Sequence, residues 1–470
     1  MITLVRADYL LTMDDTWQVV RDAALAIEAS HITAIGTWSE LRARFPDAAV
    51  VGDGTGVLLP GMINAHTHFS EGLLPSLGDG MTLYEWGMRV IIPAGFYLTR
   101  ETAYIGTLHK GIELLTSGVT TVSDMFVHTN SGSLASLGVV DALEQIGLRA
   151  VVSFGAEDIA FNQMTDQRTL TVAEVLAEHR ALAARTATTE RIGFRLGVGT
   201  LSGQTPQLLD ATLELAHAEG WGIHTHLAEV REEVTYFRTT HGTTPTGYAA
   251  QHGLLDLDVL LAHCIWLNEA DIALLQRPGV HVVHNTIANM ILGSGVAPVP
   301  RMLHQGMNVC LGTDGAASNN NQNMFQLMKT TALLHKLAAL DPSAITARQV
   351  LWMATRGGAQ ALGLADQIGS LEVGKRADIV LLDGNTATLA PIHDPYGQLV
   401  YAATGREVQA VWVDGQQVVR DGRVLTANEA DVAAQARTAA TELIAHIPDL
   451  HNLSMLHSSF RAGGAIQGTG

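Results

Sequence analysis

Short apolar runs alternate with helical stretches through the middle of the chain. The runs are typical of buried parallel strands, and they cover residues 120–124, 149–154, 193–197, 222–226, 259–263, 281–284 and 308–312. The helical stretches between them include residues 173–185, 206–219, 269–275 and 323–340. Repeated β-then-α units predict a parallel barrel or a doubly wound sheet. Several runs end in His or Asp, and barrel enzymes keep their chemistry at the carboxyl ends of the strands, so the pattern favours a barrel.

Both ends of the chain carry shorter β-type runs broken by polar residues and glycine. They lie at residues 2–4, 24–28, 31–36 and 49–52, and again at 378–382, 408–413 and 417–419, with an Asp414-Gly415 turn. We expect residues 1–58 and 370–427 to pair into one small β-domain and residues 59–369 to form the barrel. Residues 428–470 are then a C-terminal helix and tail, loose over the glycine-rich residues 462–470.

Composition narrows the class of protein. The 470 residues are 47% hydrophobic and 16% charged, as in a well-packed globular protein. A formal net charge of −18 argues against a nucleic-acid partner, because phosphate binding needs a basic face. With two cysteines, no signal-peptide pattern and no apolar run long enough to span a bilayer, we expect a cytoplasmic protein without a membrane partner.

Histidine and aspartate at the strand ends form a candidate metal site. His66 and His68, separated by one residue, follow an apolar run at 58–63. Because alternate residues of a strand face the same side, both imidazoles can reach one ion. His226, His263 and Asp314 each close a later run. Imidazole and carboxylate ligands suit a divalent transition ion such as zinc or iron, and a water on such an ion can have a pKa near 7.

Other polar residues lie near these strand ends beside the ligand candidates. Glu229 follows His226 by three positions, close to the metal but not on it, and suits proton transfer. His224 competes with His226 as a ligand, but His226 is nearer the strand end and better placed relative to Glu229. Cys264 and Cys310 are less favourably placed, and buried free cysteine is a common core residue.

Together these residues resemble the signature of the amidohydrolase superfamily. Over nearly its whole length the chain resembles the branch that contains methylthioadenosine/adenosylhomocysteine deaminases and s-triazine hydrolases. The matching segments are Leu59-Pro-Gly-Met-Ile-Asn-Ala-His-Thr-His68, His226-Leu-Ala-Glu229, Ala262-His263-Cys264, Gly295-Val-Ala-Pro-Val-Pro300, Gly312-Thr-Asp-Gly-Ala-Ala-Ser-Asn319 and Gly369-Ser-Leu-Glu-Val-Gly-Lys-Arg-Ala-Asp378.

The resemblance implies a (β/α)8 TIM-like barrel with a small β-sandwich built from both termini. It also implies one divalent ion, zinc before iron, with a ligand set of His66, His68, His226 and Asp314. In this family the histidine that matches His263 orients the hydrolytic water and the ring, and the glutamate that matches Glu229 carries protons. Relatives with two metals bridge them by a carboxylated lysine, and residues 191–202 contain no lysine. Members of this family are commonly oligomers, so the resemblance further implies a homo-oligomer, a dimer or higher.

Two departures from the adenosine-type relatives bear on the substrate. Those relatives carry a substrate-contacting histidine where this chain has Leu201, and a ribose-binding glutamate near the position of Gly95. A ribose would therefore lack its acceptor here, which favours a free base over a nucleoside. Trp86, His284, Asn289 and Ser318 are the candidate substrate contacts, with packing or loop support as their alternative roles.

The resulting prediction is a hydrolytic deaminase of a small aminated heteroaromatic ring, of the isocytosine, isoguanine, oxypurine or aminotriazine type. The alternatives are removal of chloride or an alkylamine from an s-triazine, and deamination of a methylthioadenosine-type nucleoside. A non-catalytic scaffold would have lost a ligand or the proton carrier. The candidate catalytic residues Glu229, His263 and Asp314 are all present.

Overall fold

A computed structural model describes residues 2–159 and 169–447 of the chain. Its strands are β1 (Ile2–Leu11), β2 (Val19–Glu28), β3 (His31–Thr37), β4 (Ala49–Val51), β5 (Val57–Pro60), β6 (Met62–Thr67), β7 (Val119–Phe126), β8 (Arg149–Ala156), β9 (Ile192–Phe194), β10 (Leu196–Thr200), β11 (Ile223–Leu227), β12 (Val259–His263), β13 (Val280–His284), β14 (Asn308–Leu311), β15 (Ile379–Leu382), β16 (Val408–Val413), β17 (Gln416–Arg420) and β18 (Arg423–Val424).

The α-helices surround and connect these strands. They are α1 (Trp38–Arg44), α2 (Leu83–Trp86), α3 (Ile92–Gly95), α4 (Arg100–Thr116), α5 (Ser136–Ile146), α6 (Val172–Thr186), α7 (Pro206–Glu219), α8 (Arg231–His241), α9 (Pro245–Gln251), α10 (Glu269–Leu275), α11 (Thr286–Ile291), α12 (Val299–His304), α13 (Met324–Ala339), α14 (Ala347–Met353), α15 (Arg356–Ala361), α16 (Pro395–Tyr401) and α17 (Glu429–Ala445). Within the described residues, none is both long and apolar enough to cross a bilayer.

Local sequence accounts for the ends of helix α7. The Thr205 hydroxyl accepts the backbone N–H of Leu208, and Pro206 occupies the first turn, where its missing N–H costs nothing. Gly220 ends the helix with a φ of 68°, a conformation that favours glycine. The helix therefore runs over the residues that the sequence predicts, 206–219.

Parallel strands form the barrel. Among the described residues, eight of them follow the order β6-β7-β8-β10-β11-β12-β13-β14, with β9 added beside β8. The seam between the first and last strands is closed by side chain and backbone. Asn64 accepts the N–H of Thr313 (2.9 Å), and His66 O accepts the N–H of Asp314 (2.9 Å).

Strands from both termini form a second sheet. Its order is β18-β17-β16-β15-β5-β1-β2-β3, with β4 beside β1, in the part of the chain that the structure describes. Successive residues of its central strands face opposite sides of the sheet. Leu58 and Ile379 belong to a core of the sheet's own, while Leu59 and Val380 join the main core shared with the barrel. The predicted fold class, a (β/α)8 barrel with a β-domain from both termini, is confirmed.

The apolar run predicted at 58–63 divides between the two sheets. β5 ends at Pro60 and β6 begins at Met62. Gly61 lies between them, where a Cβ would approach Thr120 Oγ1 to 2.0 Å, so no side chain fits at the crossing. The run predicted at 193–197 likewise divides into β9 and β10. The exact domain boundaries stay predictions, and the predicted loose tail at 462–470 lies outside the described residues.

Candidate metal centre

The predicted ligands meet at the carboxyl end of the barrel. His66 comes from β6 and His68 directly follows that strand, His226 comes from β11, His263 from β12, and Asp314 follows β14. One donor atom each from His66, His68 and Asp314 lies within 4.8 Å of the others, and the same holds for His66, His226 and His263. Asp314 and His263 have φ angles of 67° and 75°, a strained conformation for residues other than glycine that is common at functional sites.

Hydrogen bonds to the backbone fix two of the imidazoles. The Nδ1 of His68 lies 2.6 Å from Met125 O, and the Nδ1 of His226 lies 2.7 Å from Gly199 O. A carbonyl only accepts, so both rings carry their proton on Nδ1 and leave a lone pair on Nε2. These two Nε2 atoms face each other at 3.2 Å. Two lone pairs at that distance repel, and a cation shared between them satisfies both.

The remaining donors complete a set that fits an ion. Nε2 of His66 is buried and has no hydrogen-bond partner. It lies 3.4 Å from Oδ1 of Asp314, as does Nε2 of His68. Tetrahedral ligands bound at about 2.0–2.1 Å lie roughly 3.3–3.4 Å apart, so these spacings suit zinc or a similar ion. His224 supports the set from behind, with its Nε2 2.8 Å from Nδ1 of His66.

Burial sets the charge state of these groups. It lowers the pKa of His66 to about 4 and that of His226 well below its ordinary value, so both rings are neutral at pH 7. Burial alone would raise the pKa of Asp314, but the adjacent imidazole of His66, 3.4 Å away, and the other nearby histidines hold it well below the usual range. Neutral imidazoles with one carboxylate are the form that a divalent cation binds.

Glu229 and His263 form a second pair beside this set. Oε2 of Glu229 lies 3.5 Å from Nε2 of His263, and its Oε1 accepts a hydrogen bond from Ser294 at 3.4 Å. Burial raises the pKa of Glu229 above its ordinary value, against the opposing effect of His263. Burial would lower the pKa of His263, but Glu229 and Asp314 outweigh it and raise that pKa. The pair can therefore hold and exchange a proton.

The four predicted substrate contacts lie in different surroundings. Oδ1 of Asn289 lies 2.8 Å from Nδ1 of His263, so Asn289 is at the site. His284 instead faces His335 of helix α13, with 3.0 Å between their Nε2 atoms. Trp86 packs against Gly78, and Ser318 bonds within its own loop to Gly315 O at 3.1 Å. The structure brings Asn289 to the cluster and does not bring His284 there, and the roles in substrate binding stay predictions.

Sequence reasoning missed three buried polar residues that hold the site together. Glu71 Oε2 accepts the N–H groups of Ala317 and Ser318, in the loop after Asp314. Gln322 joins that loop to β6, since its Oε1 accepts from the hydroxyl of Thr67 (3.1 Å) and its Nε2 donates to Asp314 O (3.1 Å). Glu233 bonds to the backbone before helix α8. Of the three, Glu233 could have been found from the sequence, because it follows Glu229 by four positions and stands in the first turn of helix α8.

Known proteins similar to this chain bear on these observations. The model of the amidohydrolase family matches residues 57–418. A 5'-deoxyadenosine deaminase of Methanosarcina mazei is 36% identical, over 94% of this chain and 99% of its own. A 5-methylthioadenosine/S-adenosylhomocysteine deaminase of Desulforudis audaxviator is 40% identical, over 89% of this chain and 94% of its own.

Two solved structures share the fold and were crystallised with zinc. An adenosine deaminase from Xanthomonas campestris superposes with a TM-score of 0.87 at 29% identity, covering 94% of this chain and 98% of that one. An atrazine chlorohydrolase from Arthrobacter aurescens TC1 gives 0.85 at 25% identity, covering 93% and 100%. Together with the histidine and aspartate donors, they support a divalent metal ion as cofactor. From the extent of these matches, the chain belongs to the amidohydrolase family.

Proposed function

We propose that the protein is a zinc-dependent hydrolytic deaminase of a small amino-substituted heteroaromatic free base. One observation carries the proposal. A set of neutral imidazole nitrogens and one carboxylate, suited to a cation, lies directly beside the buried Glu229–His263 pair. Hydrolysis of a ring C–NH₂ bond needs these two parts, an activated water and a group that moves protons.

The residues fall into two groups, the proposed metal ligands and the groups that move protons. His66, His68, His226 and Asp314 would hold one zinc ion, with nitrogen and oxygen donors of the kind that zinc prefers. When bound, zinc supplies Lewis acidity and can bring the pKa of a water ligand to about 7. Oδ2 of Asp314 also lies 3.7 Å from Nε2 of His263, and its negative charge contributes to the raised pKa of that ring.

Glu229 would move the protons. It accepts one from the attacking water and delivers it to the ring nitrogen next to the reacting carbon, which stabilises the tetrahedral intermediate. The proton of the added hydroxyl then passes through Glu229 to the amino group, the C–N bond breaks, ammonia leaves, and the water oxygen stays on the ring carbon as a carbonyl. His263 orients the water and the ring, with Asn289 bonded to its Nδ1.

Two positions support a free base over a nucleoside. Leu201 stands where the adenosine-type relatives carry a histidine, and it is 3% exposed and packed in the main core. Near the place of their ribose-binding glutamate stands Gly95, where a Cβ would lie 3.5 Å from Cα of His128. Neither position offers a polar side chain to a sugar hydroxyl.

Two other substrates are each favoured by one finding. The 36–40% identical relatives deaminate nucleosides by their names, which favours an adenosine-type nucleoside. The similarity to atrazine chlorohydrolase favours loss of chloride or an alkylamine from a triazine. All three reactions displace a leaving group from a ring carbon that is bonded to at least one ring nitrogen, so the same zinc and Glu229 would serve each.

The test is product release by the zinc-loaded protein from a matched panel. The panel holds aminated free bases, their nucleosides, and chloro- and alkylamino-triazines, with ammonia and chloride measured for each. Asp314→Asn protein from the same purification controls for contaminating deaminases. Ammonia from free bases at a kcat/KM at least tenfold above that for the nucleosides supports the proposal. Preference for nucleosides, or release of chloride without ammonia, contradicts it.

A further inference from the structure

Glu233 holds the backbone of the proposed proton carrier with both carboxylate oxygens. It lies in the first turn of helix α8, and only 7% of it is exposed. Oε1 accepts the N–H of Ala228 at 3.1 Å, and Oε2 accepts the N–H of Glu229 at 2.9 Å. Two hydrogen bonds to one buried carboxyl group, donated by consecutive residues, fix the position of the peptide between them.

The same peptide is held from its other side by the loop after β12. The carbonyl of Ala228 accepts the N–H groups of Ile265 (3.0 Å) and Trp266 (2.9 Å), directly beyond His263. Ala228 itself has a φ of 51°, an unfavourable conformation for a residue with a Cβ. A strained backbone conformation persists only where its surroundings hold it in place. Here the hydrogen bonds to Glu233 and to the β12 loop hold Ala228.

This arrangement links the two members of the acid–base pair. Glu229 directly follows Ala228. His263 lies two positions before Ile265, the first of the two residues that bond to the Ala228 carbonyl. The 3.5 Å separation of Glu229 Oε2 and His263 Nε2 therefore depends on the Ala228–Glu229 peptide. Displacement of a catalytic group by about 1 Å can cost about a hundredfold in rate.

We propose that Glu233 is a positioning residue that acts on the reaction through Glu229. The inference rests on the proposed function, because it assigns Glu233 an effect only where Glu229 carries protons. Glu233 need not touch substrate or metal for this role.

Glu233→Gln is the direct test. The amide oxygen can replace one acceptor, but the amide NH₂ then faces the other N–H, so one bond is lost and two donors meet. We expect kcat to fall about ten- to a hundredfold and the melting temperature to fall by a few degrees, with KM and zinc content close to those of the wild type at an assay temperature well below the transition. Glu232→Gln is the matched control, since it removes the same charge from the neighbouring, exposed position and should leave kcat unchanged.

A double-mutant cycle separates positioning from general support of the fold. In a Glu229→Gln background, Glu233→Gln should change kcat by less than about twofold, because the group that it positions no longer carries protons. An equal fold loss in both backgrounds, or a loss that follows zinc content, overturns the inference. Glu233→Asp keeps both oxygens on a shorter stem and carries the same cycle if the glutamine variant does not fold.

The cycle also distinguishes this inference from the proposed function. If the wild type releases no ammonia from free bases, the proposed function fails. If it does release ammonia but Glu229→Gln alone stays within about tenfold of wild-type kcat at full zinc occupancy, the role of Glu229 as proton carrier fails. If Glu229→Gln is slow but Glu233→Gln acts equally in both backgrounds, only the role of Glu233 fails.

Discussion

Replacing Glu229 by glutamine tests the proton-transfer step with little change in shape. The side chain is buried, has the same length in both forms, and can still accept the hydrogen bond from Ser294. What glutamine loses is the titratable proton. Its carbonyl also cannot form the ion pair with His263 that the 3.5 Å separation permits.

The expected cost follows from the role of the group. General acid–base catalysis contributes about 10²–10⁴-fold, or roughly 2.7–5.5 kcal/mol at about 1.36 kcal/mol per tenfold. We expect kcat for ammonia release to fall by at least about a hundredfold while zinc stays bound, because Glu229 lies outside the proposed ligand set. Zinc per chain by elemental analysis and kcat on the best free base are measured together. A kcat within about tenfold of the wild type at full zinc occupancy would refute the reasoning.

Three further predictions concern stability. Arg149→Met should lower the free energy of unfolding by about 3–5 kcal/mol in urea titrations, because it removes the cationic partner of the buried Asp378. In the wild type, Nε and Nη2 of Arg149 donate to the two carboxylate oxygens of Asp378 at 2.9 and 3.0 Å. A loss below about 1 kcal/mol would contradict this. Burial would raise the pKa of Glu178, but hydrogen bonds from His128 and Ser136 lower it below the ordinary glutamate value of about 4.3. These bonds therefore stabilise the fold above that ordinary value, and their contribution is lost as the pH falls through the lowered pKa. The difference in unfolding free energy between wild type and Glu178→Gln should therefore shrink below about pH 4, and a constant difference would argue against the pair. Chelation of the metal should lower the melting temperature by several degrees, reversibly on adding zinc, because the facing Nε2 atoms at 3.2 Å lose their shared cation; an unchanged melting temperature would show that no bound ion stabilises the site.

The barrel could be predicted because its strands and helices differ in pattern along the chain. Apolar runs such as β12 and β13 are buried on both faces, and helix α7 has clear signals at both ends. The position of the ligands followed from the same pattern. In a parallel barrel all carboxyl ends meet at one face, so polar residues that close separate strands come together.

Continuous burial also hid some features. The division at Gly61 was not visible, because β5 and β6 are buried throughout although they belong to different sheets. For the same reason the direction of His284 could not be read from β13, and its ring points to helix α13. The sequence favoured His226 over His224 as a ligand but did not reveal the supporting role of His224, whose Nε2 lies 2.8 Å from Nδ1 of His66, in a distant part of the chain.

Supporting residues were the least predictable part of the site. Glu71, Gln322 and Glu233 act through backbone groups of other loops, and side-chain type alone does not reveal such partners. The homo-oligomeric state and the cytoplasmic location stay predictions.

Titration of zinc into the metal-free protein tests the central claim most directly. Chelated protein receives zinc in steps, and ammonia release from the best free base is measured at each step. We predict that activity is absent without metal, rises linearly, and stops rising at one zinc ion per chain, as expected for the ligand set of His66, His68, His226 and Asp314. Full activity without metal, or a rise that continues to two ions per chain, would contradict the account.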